Sequence, residues 1–167
     1  MGKQLILGDF MHELANTRRI LEVLPEDHMS WKPHPKSMAL SGLATHLVNL
    51  LNWQVAIFDS SELDLSTLPQ KREALTRRED LLAEFDANVV KLQQLLGESD
   101  EITLSEKWTL RNGDYVILSQ PRANALRSFG ISHMVHHRAQ LGVYLRLLDI
   151  PIPGFYGPSA DEMVSFS

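Results

Sequence analysis

The stretch that decides the fold lies at residues 121–148 and reads PRANALRSFGISHMVHHRAQLGVYLRLL. Pro121 suits the first turn of a helix, where its missing N–H leaves no hydrogen bond unmade. With about 100° per residue on a helical wheel, one face carries Leu126, Phe129, Gly130, His133, His137, Gln140, Leu141, Tyr144 and Leu148. The pattern predicts a helix from Pro121 to about Leu148 that buries an apolar face with two histidines near its centre.

Three earlier segments show the same helical spacing of apolar residues. The first covers about residues 3–24 and ends before Pro25. The second is expected to begin near Ser37, a suitable N-cap. The third begins with the capping-box pattern Thr76-Arg77-Arg78-Glu79 and is expected to stop at Gly97. The polar residues 59–71 are interpreted as a long connection.

Residues 108–117 break the helical pattern and alternate around Asn112-Gly113, which is typical of a β-hairpin. Four long amphipathic segments with one small hairpin favour an all-α fold. We therefore predict a four-helix bundle, built as a single domain over residues 1–167, with a small β-hairpin or extended segment before the last helix.

The composition narrows the function classes. The 167 residues carry 16 Lys and Arg against 21 Asp and Glu, a formal charge of −5, so nonspecific nucleic-acid binding is disfavoured. No cysteine is present, which excludes disulfides, thiolate metal sites and cysteine nucleophiles. No signal-peptide core or membrane-spanning run is evident. We expect a cytoplasmic protein that binds neither nucleic acid nor membrane.

The seven histidines are not equivalent in their placement. His133 and His137 stand one helical turn apart, an arrangement that places two nitrogen ligands about one ion. A hydrogen-bonded core role is the alternative for each. His46 lies on the flank of the second segment's apolar face and is the natural third ligand. His12 is expected to face solvent, and His28 and His34 fall in loops.

A site with three histidine ligands would keep open coordination positions, as catalytic rather than structural metal sites do. It is not a zinc-protease motif, because Met134 stands where His-Glu-x-x-His supplies its glutamate. Three imidazoles suit one divalent ion, with zinc or nickel preferred and copper, iron or manganese as alternatives. The catalytic residues cannot be assigned from the sequence.

The chain resembles the DinB-like superfamily, named for DNA-damage-inducible proteins and including bacillithiol transferase-like proteins. The resemblance covers nearly the whole sequence. It rests on WKPHPKSM at 31–38, LATHL at 43–47, HMVHHRAQ at 133–140 and IPGFYGPSADE at 152–162. The family pattern is a histidine, three residues, then His-Arg-Gly-Gln, and Ala139 here replaces the glycine. The family's three ligand histidines match His46, His133 and His137.

The resemblance implies a homodimeric four-helix bundle with one divalent metal per subunit and a small-molecule substrate. Some relatives are transferases or isomerases that use a low-molecular-weight thiol. The leading hypothesis is therefore a metal-dependent thiol S-transferase. The alternatives are a hydrolase that uses metal-bound hydroxide and a non-catalytic metal-binding stress protein. The shared fold does not identify the substrate.

Several neighbouring residues keep alternative interpretations. Gln140 faces inward and could orient a ligand histidine or only pack, while His136 and His34 could transfer protons or lie at the surface. Trp53 and Trp31 could line a pocket or belong to the core. Arg138 points away from the histidine face and is expected in a surface or dimer-contact ion pair.

The apolar side chains of Ile131, Val135 and Leu145 lie off the histidine face of the fourth segment. An isolated subunit would expose them, so they favour a homodimer. The alternative is that the first helix or the hairpin covers them within one subunit.

Overall fold

The computed structural model describes residues 3–69 and 73–162. Its four long helical stretches are α1 (Lys3–Glu22), α2 (Leu40–Asp59), α3 (Arg78–Glu98) and a last stretch over residues 122–147. Helices α1 and α2 each pack against both α3 and the last stretch. The predicted four-helix bundle is confirmed. Within the described part of the chain, no helix combines the length and apolar character needed to cross a membrane.

The core forms where the apolar faces of the four helices meet, at the spacing of three and four residues that the sequence shows. Each helix contributes fully buried aliphatic or aromatic side chains, among them Phe10, Leu47, Phe85 and Leu141. Helix α1 ends at Glu22, just before Pro25, because proline cannot continue the hydrogen-bond ladder.

The last helical stretch contains a π-helical turn that the apolar pattern did not reveal. It begins with α5 (Arg122–Ala125), continues through the π turn at Leu126–Ser132 and ends with α6 (His133–Leu147). Gly130 is buried in the π turn, where a Cβ would lie 3.2 Å from Gln54 Cγ. The glycine lets α2 approach the last helix closely, immediately before His133.

The hairpin predicted around Asn112-Gly113 is confirmed as β2 (Lys107–Asn112) and β3 (Tyr115–Pro121). Gly113 has φ 59°, a left-handed conformation that suits glycine. A third strand, β1 (Glu62–Asp64), pairs in parallel with β2, so residues 59–71 are not only a connection. A strand of three residues is too short to show the alternation that identifies strands.

The two predicted N-caps were wrong by two residues and by one residue. Helix α2 begins at Leu40 after an extended Ala39 rather than near Ser37, and α3 begins at Arg78 after Arg77 rather than with Thr76 as its cap. Neither N-cap residue caps its helix with a side-chain hydrogen bond. A further short helix, α4 (Glu101–Ser105), follows α3 in a stretch where the sequence shows no helical spacing of apolar residues. Its N-cap Asp100 accepts a hydrogen bond from the Thr103 N–H.

Arg138 is buried, and the prediction that it forms a surface or dimer-contact ion pair was wrong. Only 1% of its surface is exposed. Its Nη2 lies 2.6 Å from Glu13 Oε2 on α1 and donates a hydrogen bond of 2.6 Å to the Tyr156 hydroxyl. That hydroxyl in turn donates to the Glu13 carboxylate. A buried charge needs such a partner, and α1 supplies it within the subunit.

The apolar residues expected to be free for dimer contact are covered. Ile131 and Leu145 are 2% and 0% exposed, and Val135 packs partly buried against the core. Helix α1 packs along both the π turn and α6, so the alternative of coverage within one subunit holds. The apolar side chains that α6 does expose are Val143 and Leu147, at 60% and 58%.

Replacing Arg138 with Met should destabilise the protein by about 3 kcal/mol or more, because Glu13 would remain buried without its counter-charge. Urea unfolding monitored by circular dichroism measures this change. Arg127→Met is the matched control: Arg127 is exposed on the same helical stretch, and its loss should change stability by less than about 0.5 kcal/mol. Equal unfolding midpoints for the two variants would contradict the assignment.

Candidate metal centre

Two adjoining helices bring the three predicted ligands together. His46 lies in α2, and His133 and His137 lie one turn apart at the start of α6. Side chains at i and i+4 share one helical face, and α6 turns that face toward α2. His137 is 8% exposed, whereas His46 and His133 are partly exposed. The cluster therefore has a buried base and an open side.

The ring nitrogens converge on one small region. His137 Nε2 lies 3.2 Å from His46 Nε2 and 2.9 Å from His133 Nε2. One nitrogen from each ring falls within 4.8 Å of the other two. Bonds of about 2.0–2.1 Å to a tetrahedral zinc ion would place ligand nitrogens roughly 3.4 Å apart. The arrangement is compatible with a site for one divalent ion.

Gln140 contacts His137, as one of the two interpretations of its role predicted, but the residue is exposed and not turned inward as expected. His137 Nδ1 lies 2.8 Å from Gln140 Oε1. An amide oxygen only accepts hydrogen bonds, so this contact favours the tautomer with hydrogen on Nδ1. The lone pair on Nε2 is then directed into the cluster. Such contacts fix the ring orientation and the tautomer of metal-ligating histidines.

All three histidines are biased toward the neutral form. Burial, followed by the charge of His137, lowers the pKa of His46 to about 4. Burial also lowers the pKa of His133 to about 4, with added repulsion from its neighbouring imidazoles. The pKa of His137 is lowered mainly by burial, although its hydrogen bond with Gln140 acts in the opposite direction. Neutral imidazole is the form that binds metals.

Aromatic rings flank the open side of the cluster. The Trp53 ring lies 5.7 Å from the His46 ring in an edge-to-face arrangement, and 5.7 Å from the Phe129 ring in a parallel one. Phe129 in turn lies 5.5 Å from His133. Trp53 thus borders the site as well as packing on the core. Phe129, on the histidine face of the helix, belongs to the site, although its position alone did not distinguish it from a core residue.

The remaining predicted residues lie outside the cluster. His12 is exposed, as expected, and contacts Asn16. His28 and His34 are exposed in the connection between α1 and α2. His136 is exposed too, but its ring lies 4.8 Å from that of His137. Trp31 packs edge-to-face on Tyr144 and takes no part in the cluster.

Comparison with known proteins places the chain among relatives. The family model described as the DinB family matches residues 3–164. The uncharacterized protein YrdA of Bacillus subtilis (strain 168) is 23% identical over 161 residues, which covers 96% of this chain and 91% of that protein.

Two solved structures share the fold. A DinB-like protein from Bacillus cereus ATCC 10987 superposes with a TM-score of 0.68 at 21% identity, over 90% of this chain and 95% of the other. A second, YjoA from Bacillus subtilis, gives a TM-score of 0.65 at 22% identity over 89% and 96%.

Zinc affinity should fall little between pH 7 and 6 and be lost mainly as the pH approaches 4, because the pKa values of His46 and His133 are about 4 and burial also lowers that of His137. Ordinary imidazoles, with a pKa of about 6.5, would already lose affinity between pH 7 and 6. Calorimetric titration of metal-free protein with zinc measures the affinity at each pH. His12→Ala should match the wild type, and a clear loss of affinity between pH 7 and 6 would refute the lowered pKa values.

The stability of the metal-free protein should change in the same pH range. Between about pH 6.5 and 4 the unfolded chain binds protons at these histidines while the folded chain does not. The free energy of unfolding should therefore fall as the pH drops through that range. Urea denaturation of the metal-free protein at several pH values gives this dependence.

Replacing Gln140 with Leu should weaken zinc binding by roughly 10–100-fold, because the tautomer and orientation of His137 would no longer be fixed. Competition with a chelator of known affinity provides the measurement. Gln4→Leu, which alters an exposed glutamine on α1, serves as the control. If both variants bind zinc as the wild type does, the contact between His137 and Gln140 has only a packing role.

Proposed function

The chain belongs to the DinB family, and on that premise we propose that it is a metal-dependent enzyme that activates a low-molecular-weight thiol for S-transfer to a small-molecule acceptor. His46, His133 and His137 hold one divalent ion, with zinc or nickel preferred. The observation that carries the proposal is the convergence of three neutral imidazoles at a partly open site.

The charge balance of the site supports an anionic activated group, which a thiol supplies as its thiolate. Among the described residues, no carboxylate is among the groups that shift the pKa of the three histidines, although a nearby carboxylate would raise it. Three neutral ligands leave the charge of a divalent ion uncompensated, which favours an anionic group in an open position. A metal held there would lower the pKa of a bound thiol, or of a bound water in the hydrolase alternative.

In this proposal the chain's own residues hold the metal ion and orient its ligands. The three imidazoles supply nitrogen lone pairs, and Gln140 keeps the proton of His137 on Nδ1. With no cysteine in the chain, the sulfur nucleophile must come from a small molecule. Trp53 and Phe129 limit the access of water on one side of the cluster, because their rings lie against His46 and His133.

The proposal predicts that His137→Ala abolishes metal-dependent thiol transfer while the protein stays folded. The assay supplies a panel of small thiols with an electrophilic acceptor and measures thiol consumption in zinc- or nickel-loaded protein. Circular dichroism checks folding, and His12→Ala should keep full activity. Equal rates in wild type and His137→Ala would refute metal catalysis.

The same preparations separate the alternatives. Ester or amide hydrolysis by the loaded protein without thiol consumption would favour the hydrolase. If no substrate turns over and metal removal unfolds the protein, the metal is structural, and the non-catalytic stress protein becomes the better interpretation.

We also propose a homodimer, as the resemblance implies. Val143 and Leu147, exposed one turn apart on α6, are the apolar contact that a second copy would cover. Light scattering at micromolar concentration should then give twice the 18.9 kDa of one chain.

A further inference from the structure

On the open side of the histidine cluster, the ligands His46 and His133 lie beside the rings of Trp53 and Phe129. All four side chains are partly exposed. The planes of Trp53 and Phe129 are parallel to within 2°, with centroids 5.7 Å apart. Centroids this far apart in parallel rings correspond to an offset arrangement. Together the two stacked rings form an apolar pair beside the cluster, which we name the aromatic wall.

The aromatic wall lies directly against the ligands. Trp53 contacts His46 edge-to-face, with centroids 5.7 Å apart, and its ring centroid is 6.4 Å from that of His133. The Phe129 ring is 5.5 Å from His133. A molecule that approaches the imidazoles from this side would therefore rest on the wall.

In the described part of the chain, no hydrogen bond, ion pair or cation–π contact joins these rings to a charged side chain. Among the described residues, the hydrogen bonds and ring contacts of His46, Trp53, Phe129 and His133 involve no Asp, Glu, Lys or Arg. An ionic group placed on the wall would lose water without gaining a partner. A flat uncharged group would instead gain a stacking contact with the outer face of this aromatic pair.

We infer that Trp53 and Phe129 are specificity-determining residues that bind an uncharged planar ring of the acceptor, so that the acceptor is an aromatic electrophile. This inference rests on the proposed thiol transfer. In the reaction the thiol sulfur forms a bond to an acceptor carbon while the bond to the leaving group breaks. The leaving group departs with its electron pair, and the thiol proton passes to solvent. Nothing is oxidised or reduced.

The wall can be tested without turnover. Ligand-observed NMR measures the binding of 1,3-dinitrobenzene, a neutral and unreactive planar ring, to metal-free protein. Trp53→Leu and Phe129→Leu should each weaken binding by about tenfold, a loss of the size expected for aromatic pairs. Trp53→Phe keeps a ring and should stay within about threefold of the wild type.

Trp31→Leu is the matched control, because Trp31 is also partly buried but packs on Tyr144 away from the cluster. It should bind the probe as the wild type does, and circular dichroism verifies the fold of each variant. Should Trp53→Leu misfold, Trp53→Phe and Phe129→Leu still decide the matter. Absence of wild-type binding, or equal binding by Phe129→Leu and wild type, would overturn the inference.

A kinetic comparison links the wall to the reaction. Zinc-loaded protein is assayed with one thiol and two acceptors, 1-chloro-2,4-dinitrobenzene and the small aliphatic iodoacetamide. Trp53→Leu should lower kcat/KM for the aromatic acceptor about tenfold and leave that for iodoacetamide within about twofold. An equal loss for both acceptors would assign Trp53 a structural role and overturn the inference. If neither acceptor reacts but the probe binds at the wall, the proposed reaction fails while the ring-binding surface stands.

Discussion

The close packing of α2 against the last helix is the constraint on which the histidine site depends. A Cβ at Gly130 would lie 3.2 Å from both Gln54 Cγ and Leu126 Cδ1, so a larger residue would push the helices apart. Gln54 is buried with neither side-chain polar atom hydrogen-bonded among the described residues, at a cost of about 1–3 kcal/mol. The bundle tolerates this cost while it brings His46 Nε2 to within 3.2 Å of His137 Nε2.

The last helix separates two chemically different environments. Toward α2 it presents neutral imidazoles and an aromatic wall, whereas toward α1 it presents Arg138, paired with Glu13. Adjacent residues on a helix point about 100° apart, which is why His137 and its neighbour Arg138 serve different interfaces. The ion pair ties α6 to α1 and, through Tyr156, to the C-terminal segment. It therefore holds the helix that carries two of the three histidines without adding charge to the site.

The sequence predicts the bundle and the assembly of the cluster because both follow from regular spacing. The helical period identified the four helices, and the interval between His133 and His137 placed both on the buried face. The residue types at the helix starts and in the short strand were less informative about where these elements begin and end. The N-cap residues Ala39 and Arg77 make no capping hydrogen bond through their side chains. Strand β1 has only three residues. No signal in the single sequence marked these features.

Contacts between helices also explain the residues whose burial the helical wheel predicted wrongly. Arg138 and Ile131 lie off the histidine face, and a wheel of one helix treats that direction as solvent. The wheel cannot show that α1 packs there and buries both side chains. The π turn has a similar origin, because its hydrogen-bond register depends on how the last helix packs and not on the period of its apolar residues.

Among the described residues, no carboxylate, lysine or arginine shifts the pKa of the three histidines, and this connects the cluster, the wall and the proposed chemistry. A carboxylate beside the imidazoles would raise their pKa values and partly neutralise a bound cation. Such a carboxylate would also give the open side an ionic partner, which the described residues do not provide. Burial acts in the opposite direction and keeps the rings neutral, with the pKa of His46 and of His133 near 4. The full charge of a metal ion would then act on the anionic group that it binds, while the neighbouring apolar rings receive the uncharged reactant. Attraction of an anionic thiolate to a metal ion and stacking of a flat acceptor on aromatic rings are independent effects. One site can therefore bind the thiol by its charge and the acceptor by its shape.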